Sequence, residues 1–198
     1  DGGDGAGAGV KNTVYFDNVR VPAENLVGGE NEGWAVASTH LELEHGGGGR
    51  VGRNRWFLRA RDRAKELKRG GKPMLENADA REKLAELFIT TEVSRLFGLR
   101  NFWMNRTHQQ MTYEGPQSLY FGKLGGLKSS QLMMDLLGPH ALSSDQPWDT
   151  TDGMFETYMQ SSIVALHPGA TTDIQKVIMA RRIGIGRSQL EQAGRTVE

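Results

Sequence analysis

Apolar residues recur at three- and four-residue steps over most of this chain, and that periodicity predicts a succession of amphipathic helices. The longest run holds Leu84, Leu87, Phe88, Thr91, Val93, Leu96, Phe97, Leu99, Phe102, Trp103 and Met104, with Asn77 or Asp79 ahead of it as a cap and Gly115-Pro116 as its stop. A second long helix is predicted over Leu119 to Leu137, with Leu124, Leu127, Gln131, Met134 and Leu137 inward and Gly138-Pro139 as terminator. Shorter helices are predicted from Gly33 to about His45, over Val51 to Leu67, over Met154 to Leu166, and over Thr171 to Ile183 with Ile174, Val177, Ile178 and Ala180 inward. Gly46 to Gly49 interrupt the first two, each Gly costing up to about 1 kcal/mol in a helix interior, so they either kink one long helix or admit a close backbone approach. Arg69-Gly70-Gly71-Lys72-Pro73 and His167-Pro168-Gly169-Ala170 read as turns.

One segment has a different period. Val14, Phe16, Val19 and Val21 alternate around Asp17-Asn18, and Pro22 closes the run because it lacks a ladder donor. This predicts a β-strand with no partner elsewhere in the sequence, as in a fragment of a larger protein. The fold class expected is all-α, an antiparallel helical bundle preceded by one orphan strand. The domain boundaries expected are a Gly-rich tail over 1–13, a terminal strand and linker over 14–32, the bundle over 33–187 and a frayed tail over 188–198.

Composition narrows the chemistry. In 198 residues, Lys+Arg and Asp+Glu are equal at 24 each, so there is no net field to attract nucleic acid. Cysteine is absent, which excludes disulfides and thiolate metal sites and suits a reducing cytoplasm. No apolar run nears the roughly 20 residues that span a bilayer. His40, His45, His108, His140 and His167 lack a ligand spacing backed by carboxylates, so no metal is expected. Arg50, Arg53, Arg55, Arg59, Arg61 and Arg63 could face phosphates, though a solvated or interface role is the commoner fate of such a run. The bulky stripe of Phe97, Phe102, Trp103 and Met104 reads as core or subunit interface.

Phe16-Asp17-Asn18-Val19-Arg20-Val21-Pro22, then Asn25-Leu26-Val27-Gly28 and Gly33-Trp34, resembles the junction between the middle β-domain and the C-terminal helical domain of acyl-CoA dehydrogenases. Gly169-Ala170-Thr171-Thr172-Asp173-Ile174-Gln175 is similar to that family's closing segment, and Lys123 and Leu137-Gly138 fall in register between the two. The resemblance covers about residues 14 to 187, the C-terminal half of such an enzyme. It implies FAD as cofactor, an acyl-CoA thioester as substrate, α,β-desaturation as the reaction, electron-transferring flavoprotein as acceptor, and a homo- or hetero-oligomer such as a homotetramer.

The resemblance also implies roles. The α-proton-abstracting base is a Glu either at the head of the closing run, which here is Gly169, or in a Leu-x-x-Glu-Arg motif, matched by Leu41-Glu42-Leu43-Glu44-His45 with Glu44 as the carboxylate. A helix glutamate is otherwise a solvated one, paired here with His40 four residues earlier. Glu42 projects about 200° away and cannot substitute. Gly169, Ala170 and His45 would lie beside the substrate, and Thr171, Thr172 and Asp173 would bind the flavin's adenosine part, although the same residues also make a plain N-cap. Leu67, Gly70, Ala78 and Asp135 depart from family positions that contact flavin across subunits, and His45 replaces the motif's Arg. These departures raise an alternative, a non-catalytic partner subunit or oligomerisation domain of a hetero-oligomeric enzyme. An oxidase or monooxygenase on the same scaffold is a third possibility.

Overall fold

Three of the helix starts are set by short polar side chains. Asn54 accepts from the Trp56 N–H at 2.8 Å, Asn77 from that of Ala80 at 3.1 Å, and Thr171 from that of Ile174 at 3.4 Å. Six helices follow in the computed structural model, which describes residues 13–47, 54–142 and 153–186, with backbone alone over 41–47. They are α1 (Gly33–Gly47), α2 (Arg55–Glu66), α3 (Ala78–Arg106), α4 (Glu114–Leu137), α5 (Met154–Val164) and α6 (Thr172–Arg182). Between α2 and α3 stand two-residue strands, β1 (Lys68–Arg69) and β2 (Lys72–Pro73), paired antiparallel. Their turn needs a positive φ at both central residues, which Gly70 (60°) and Gly71 (79°) supply without a Cβ clash.

The bundle is built on α3 and α4. Asn101 meets Glu114, Arg100 meets Gln117, Phe97 meets Phe121 and Glu86 meets Lys128, so the two run antiparallel. Helix α5 is antiparallel to α4 in turn, with Ser162 and Met159 beside Ser130 and Leu166 beside Lys123. Both α1 and α6 pack on α4. The core holds Ala60, Ala64, Met74, Leu84, Leu87, Met133, Leu136, Leu137, Ala141 and Phe155. Trp56 stacks on Tyr158 at 4.3 Å beside it.

Several boundaries and faces differ from expectation. Gly115-Pro116 does not end α3; it lies in the first turn of α4, where a missing N–H costs nothing. The true stop is a Schellman turn with His108 left-handed (φ 53°), Gln109 donating to Met104 O at 2.8 Å and His108 to Asn105 O at 3.2 Å. On α4 the buried face is Ser129, Ser130, Met133, Leu136 and Leu137, whereas Leu124 and Gln131 are exposed. The serines allow close approach, and the Ser130 hydroxyl is satisfied, donating to Leu127 O at 2.7 Å with its oxygen 2.8 Å from that of Ser162. On α6 the fully buried residue is Gln175, while Ile174 and Val177 face outward.

Residues 13–22 form no strand: they are irregular, with a bend at Asp17-Asn18, and Val14, Tyr15 and Phe16 are exposed. A ladder needs a second strand, and none of the described residues pairs with this segment. The Gly-rich tail over 1–12, Gly48 and Gly49, the segment over 143–152 and the tail over 187–198 lie outside the described residues. No described helix is long and apolar enough to cross a membrane. No described group of His, Asp and Glu could hold a metal ion.

Candidate functional site

The turn between α5 and α6 gathers most of the residues singled out by sequence. Gly169 (φ 67°) and Ala170 (φ 68°) are consecutive left-handed residues, and the second is uncommon for a side chain with a Cβ. Such a turn persists only when its surroundings fix it. Lys123, at mid-α4, does so: its Nζ donates to the carbonyls of Leu166 (3.3 Å), Pro168 (2.5 Å) and Ala170 (2.5 Å). Gln175 Nε2 donates to Gly169 O at 2.8 Å, leaving its buried Oε1 with no partner among the described residues. Desolvation lowers the Lys123 pKa from the ordinary lysine value.

With the turn fixed, α6 starts at a defined point. Thr171 is its N-cap, extended (φ −66°, ψ 164°), and Thr172 and Asp173 form the first turn, whose N–H groups lack intrahelical acceptors. Asp173 pairs with Lys176 at 3.2 Å. Lys176 also lies 5.5 Å from the Tyr120 ring centroid, and the hydrogen bond it donates to Asp173, with Tyr120 adding to the effect, raises the Lys176 pKa. A Schellman turn at Gly184 (φ 88°) closes the helix, with Ile185 donating to Ala180 O at 2.7 Å.

Glu44 and His45 lie on α1, an element that packs against α3 and α4. Their side chains, with that of Glu42, lie outside the described residues. Helix α4 is thus the common support of the Glu44 helix and the α5–α6 turn.

The positions that depart from the family pattern carry internal contacts. Leu67 caps α2 and its carbonyl accepts from Met74 N at 2.9 Å, Gly70 makes the tight turn, and Ala78 opens α3. Arg69 ties this hairpin down, donating to Asp135 O at 3.2 Å and Leu136 O at 3.0 Å and pairing with Asp79 at 3.4 Å. The arginines of α2 are likewise engaged locally: Arg61 with Asp62 at 2.8 Å, Arg63 with Glu66 at 2.6 Å, and Arg59 with the Met154 sulfur.

Lys123 and Gln175 fall within the family resemblance in the sequence, but neither had a role there. The available signals were a lone charge among Leu119, Tyr120, Phe121 and Leu124, and an amide between Ile174 and Val177.

Residues 31–184 match a family model described as acyl-CoA dehydrogenase, C-terminal domain. No curated protein matches the chain. Solved structures of the same fold include the ChsE4-ChsE5 complex from Mycobacterium tuberculosis (23% identity, TM-score 0.74, covering 88% of this chain and 46% of that one). The prolyl acyl carrier protein oxidase AnaB is similar at 20% identity and TM-score 0.70, over 83% of this chain and 43% of its own. An FAD complex of PigA is similar at 19% identity and TM-score 0.72, over 86% and 43%. At such identities the likeness is one of fold, and this chain spans less than half the length of each.

Proposed function

The chain belongs to the acyl-CoA dehydrogenase family as its C-terminal helical domain, and from that premise we propose that it is part of a flavin-dependent enzyme that desaturates an acyl-CoA thioester, with Glu44 as the α-proton base. The observation that carries this reading is the α5–α6 turn, a rigidly held loop that presents the first turn of α6. Two features suit it to one end of FAD. The N–H groups of Thr172 and Asp173 are free of intrahelical acceptors, and Gln175 Oε1 is a buried acceptor in want of a donor such as a sugar hydroxyl or ring amine. The Asp173 carboxylate in that turn favours the adenosine part over a phosphate.

FAD, when bound, supplies the two-electron acceptor that takes hydride from the substrate's β carbon. This chain's part is the proton. Glu44 takes it from the α carbon as the C–H pair moves into the forming double bond. Gly169 and Ala170, lacking bulk, leave room for the thioester, and His45 would flank it. Residues 14–32 would join a β-domain, where the alternating segment finds its ladder partners. A cytoplasmic location and electron-transferring flavoprotein as acceptor complete the proposal.

The bundle also bears an assembly face. Ile89, Leu96 and Trp103 recur at seven-residue steps along α3, each more than half exposed, with Phe88 and Phe102 beside them. We assign this stripe to another copy or a close homologue of the chain. Leu96→Lys should convert the oligomer to smaller species in sedimentation analysis without loss of helicity; an unchanged mass would remove the stripe from the interface.

The hairpin favours a second reading, since Leu67, Gly70 and Ala78 serve packing: a non-catalytic partner subunit with degenerate FAD contacts. Flavin content separates the two. The enzyme reading expects one FAD per chain in the natural protein isolated as a homogeneous oligomer, whereas the subunit reading expects flavin only with a second kind of chain.

A further inference from the structure

We infer that Lys123 and Gln175 are positioning residues, a two-point clamp that holds the α5–α6 turn in one conformation and so presets the N-terminus of α6 for the adenosine part of a flavin. The flavin half of this inference rests on the function proposed above. Four carbonyls of the turn, those of Leu166, Pro168, Gly169 and Ala170, all accept from these two side chains. An ammonium has three donors, and Lys123 aims all three at this one turn.

The clamp is two-sided. Lys123 approaches from α4, while Gln175 reaches back from α6 itself and is fully buried in doing so. Its amide orientation leaves Oε1 unpartnered, a cost that the Gly169 bond offsets only if that carbonyl must be held. The need is plain in the backbone: Ala170 is left-handed with a Cβ, and released from Lys123 it would relax and turn Thr171 away from its capping geometry. Arginine cannot replace the lysine, because a planar fork does not direct three N–H groups onto convergent carbonyls.

Hydrogen–deuterium exchange on the full chain, read segment by segment alongside FAD titration, tests this in Lys123→Met, Lys123→Arg and Gln175→Leu. Loss of charge-assisted bonds should raise amide exchange over 169–175 by about tenfold in both Lys123 variants, with α3 unchanged and FAD affinity lower by a similar factor. Gln175→Leu, which loses one bond, should show the same change at a few-fold and covers the case in which a Lys123 variant does not fold. Exchange over 169–175 that stays as in the wild type, or rises no more than in α3, would overturn the clamp. Exchange that rises with FAD affinity unchanged would overturn its role toward flavin. A wild-type chain with a protected turn and no FAD affinity would sink the flavin reading and leave the clamp standing.

Discussion

Glu44→Gln lowers acyl-CoA turnover by about 10²- to 10⁴-fold in the natural protein while flavin content and thermal stability stay at wild-type values. The substitution is isosteric and removes only the ability to accept a proton. Rapid-mixing measurement of flavin reduction isolates the step, because proton abstraction precedes or accompanies the loss of hydride. Glu42→Gln is the control: about 200° away on the helix, it should leave the rate unchanged. Equal losses from both would show a general electrostatic effect on α1, and full activity in Glu44→Gln would remove Glu44 from the reaction.

Leu87→Ala destabilises the bundle by about 2–5 kcal/mol, read as a shift in the urea midpoint. Leu87 is fully buried at the centre of α3, where that helix meets the core of Met133, Leu136 and Phe155. Truncation there removes transfer free energy and leaves a cavity that three packed helices cannot close. Leu96→Ala, on the exposed face of the same helix, should change stability of the isolated chain by less than about 0.5 kcal/mol. A similar cost at both positions would contradict the assignment of the inner face.

The helices were legible where their ends use familiar chemistry. Asn77 and Thr171 cap as their types suggest, Gly138 and Gly184 end helices with positive φ, and Gly70-Gly71 makes the turn that a Gly pair implies. The end of α3 was not legible, because His108 takes the left-handed position that Gly usually fills and so leaves no mark in the sequence. Inner faces on α4 and α6 were misread for a different reason. Periodicity ranks side chains by hydrophobicity, yet Ser129, Ser130 and Gln175 are buried, Ser130 bonded to Ser162 and Gln175 donating to Gly169 O, and Ile174 and Val177 are left outside.

The candidate site was legible in part. The closing run from Gly169 to Asp173 could be read from its resemblance, but its support by Lys123 joins residues more than 40 apart and follows only from the packing of α4 on the turn. The segment over Val14 to Pro22 shows the converse: its alternation is a strand pattern, and with no ladder partner among the described residues it is irregular.

On the function proposed, this domain serves a flavin-dependent acyl-CoA dehydrogenase. Anaerobic addition of acyl-CoA thioesters to the natural protein, followed by its visible flavin absorbance, tests that most directly. Bleaching is expected to be rapid in the wild type and nearly absent in Glu44→Gln. A protein that carries no flavin, or whose flavin stays oxidised with every acyl-CoA offered, would contradict it.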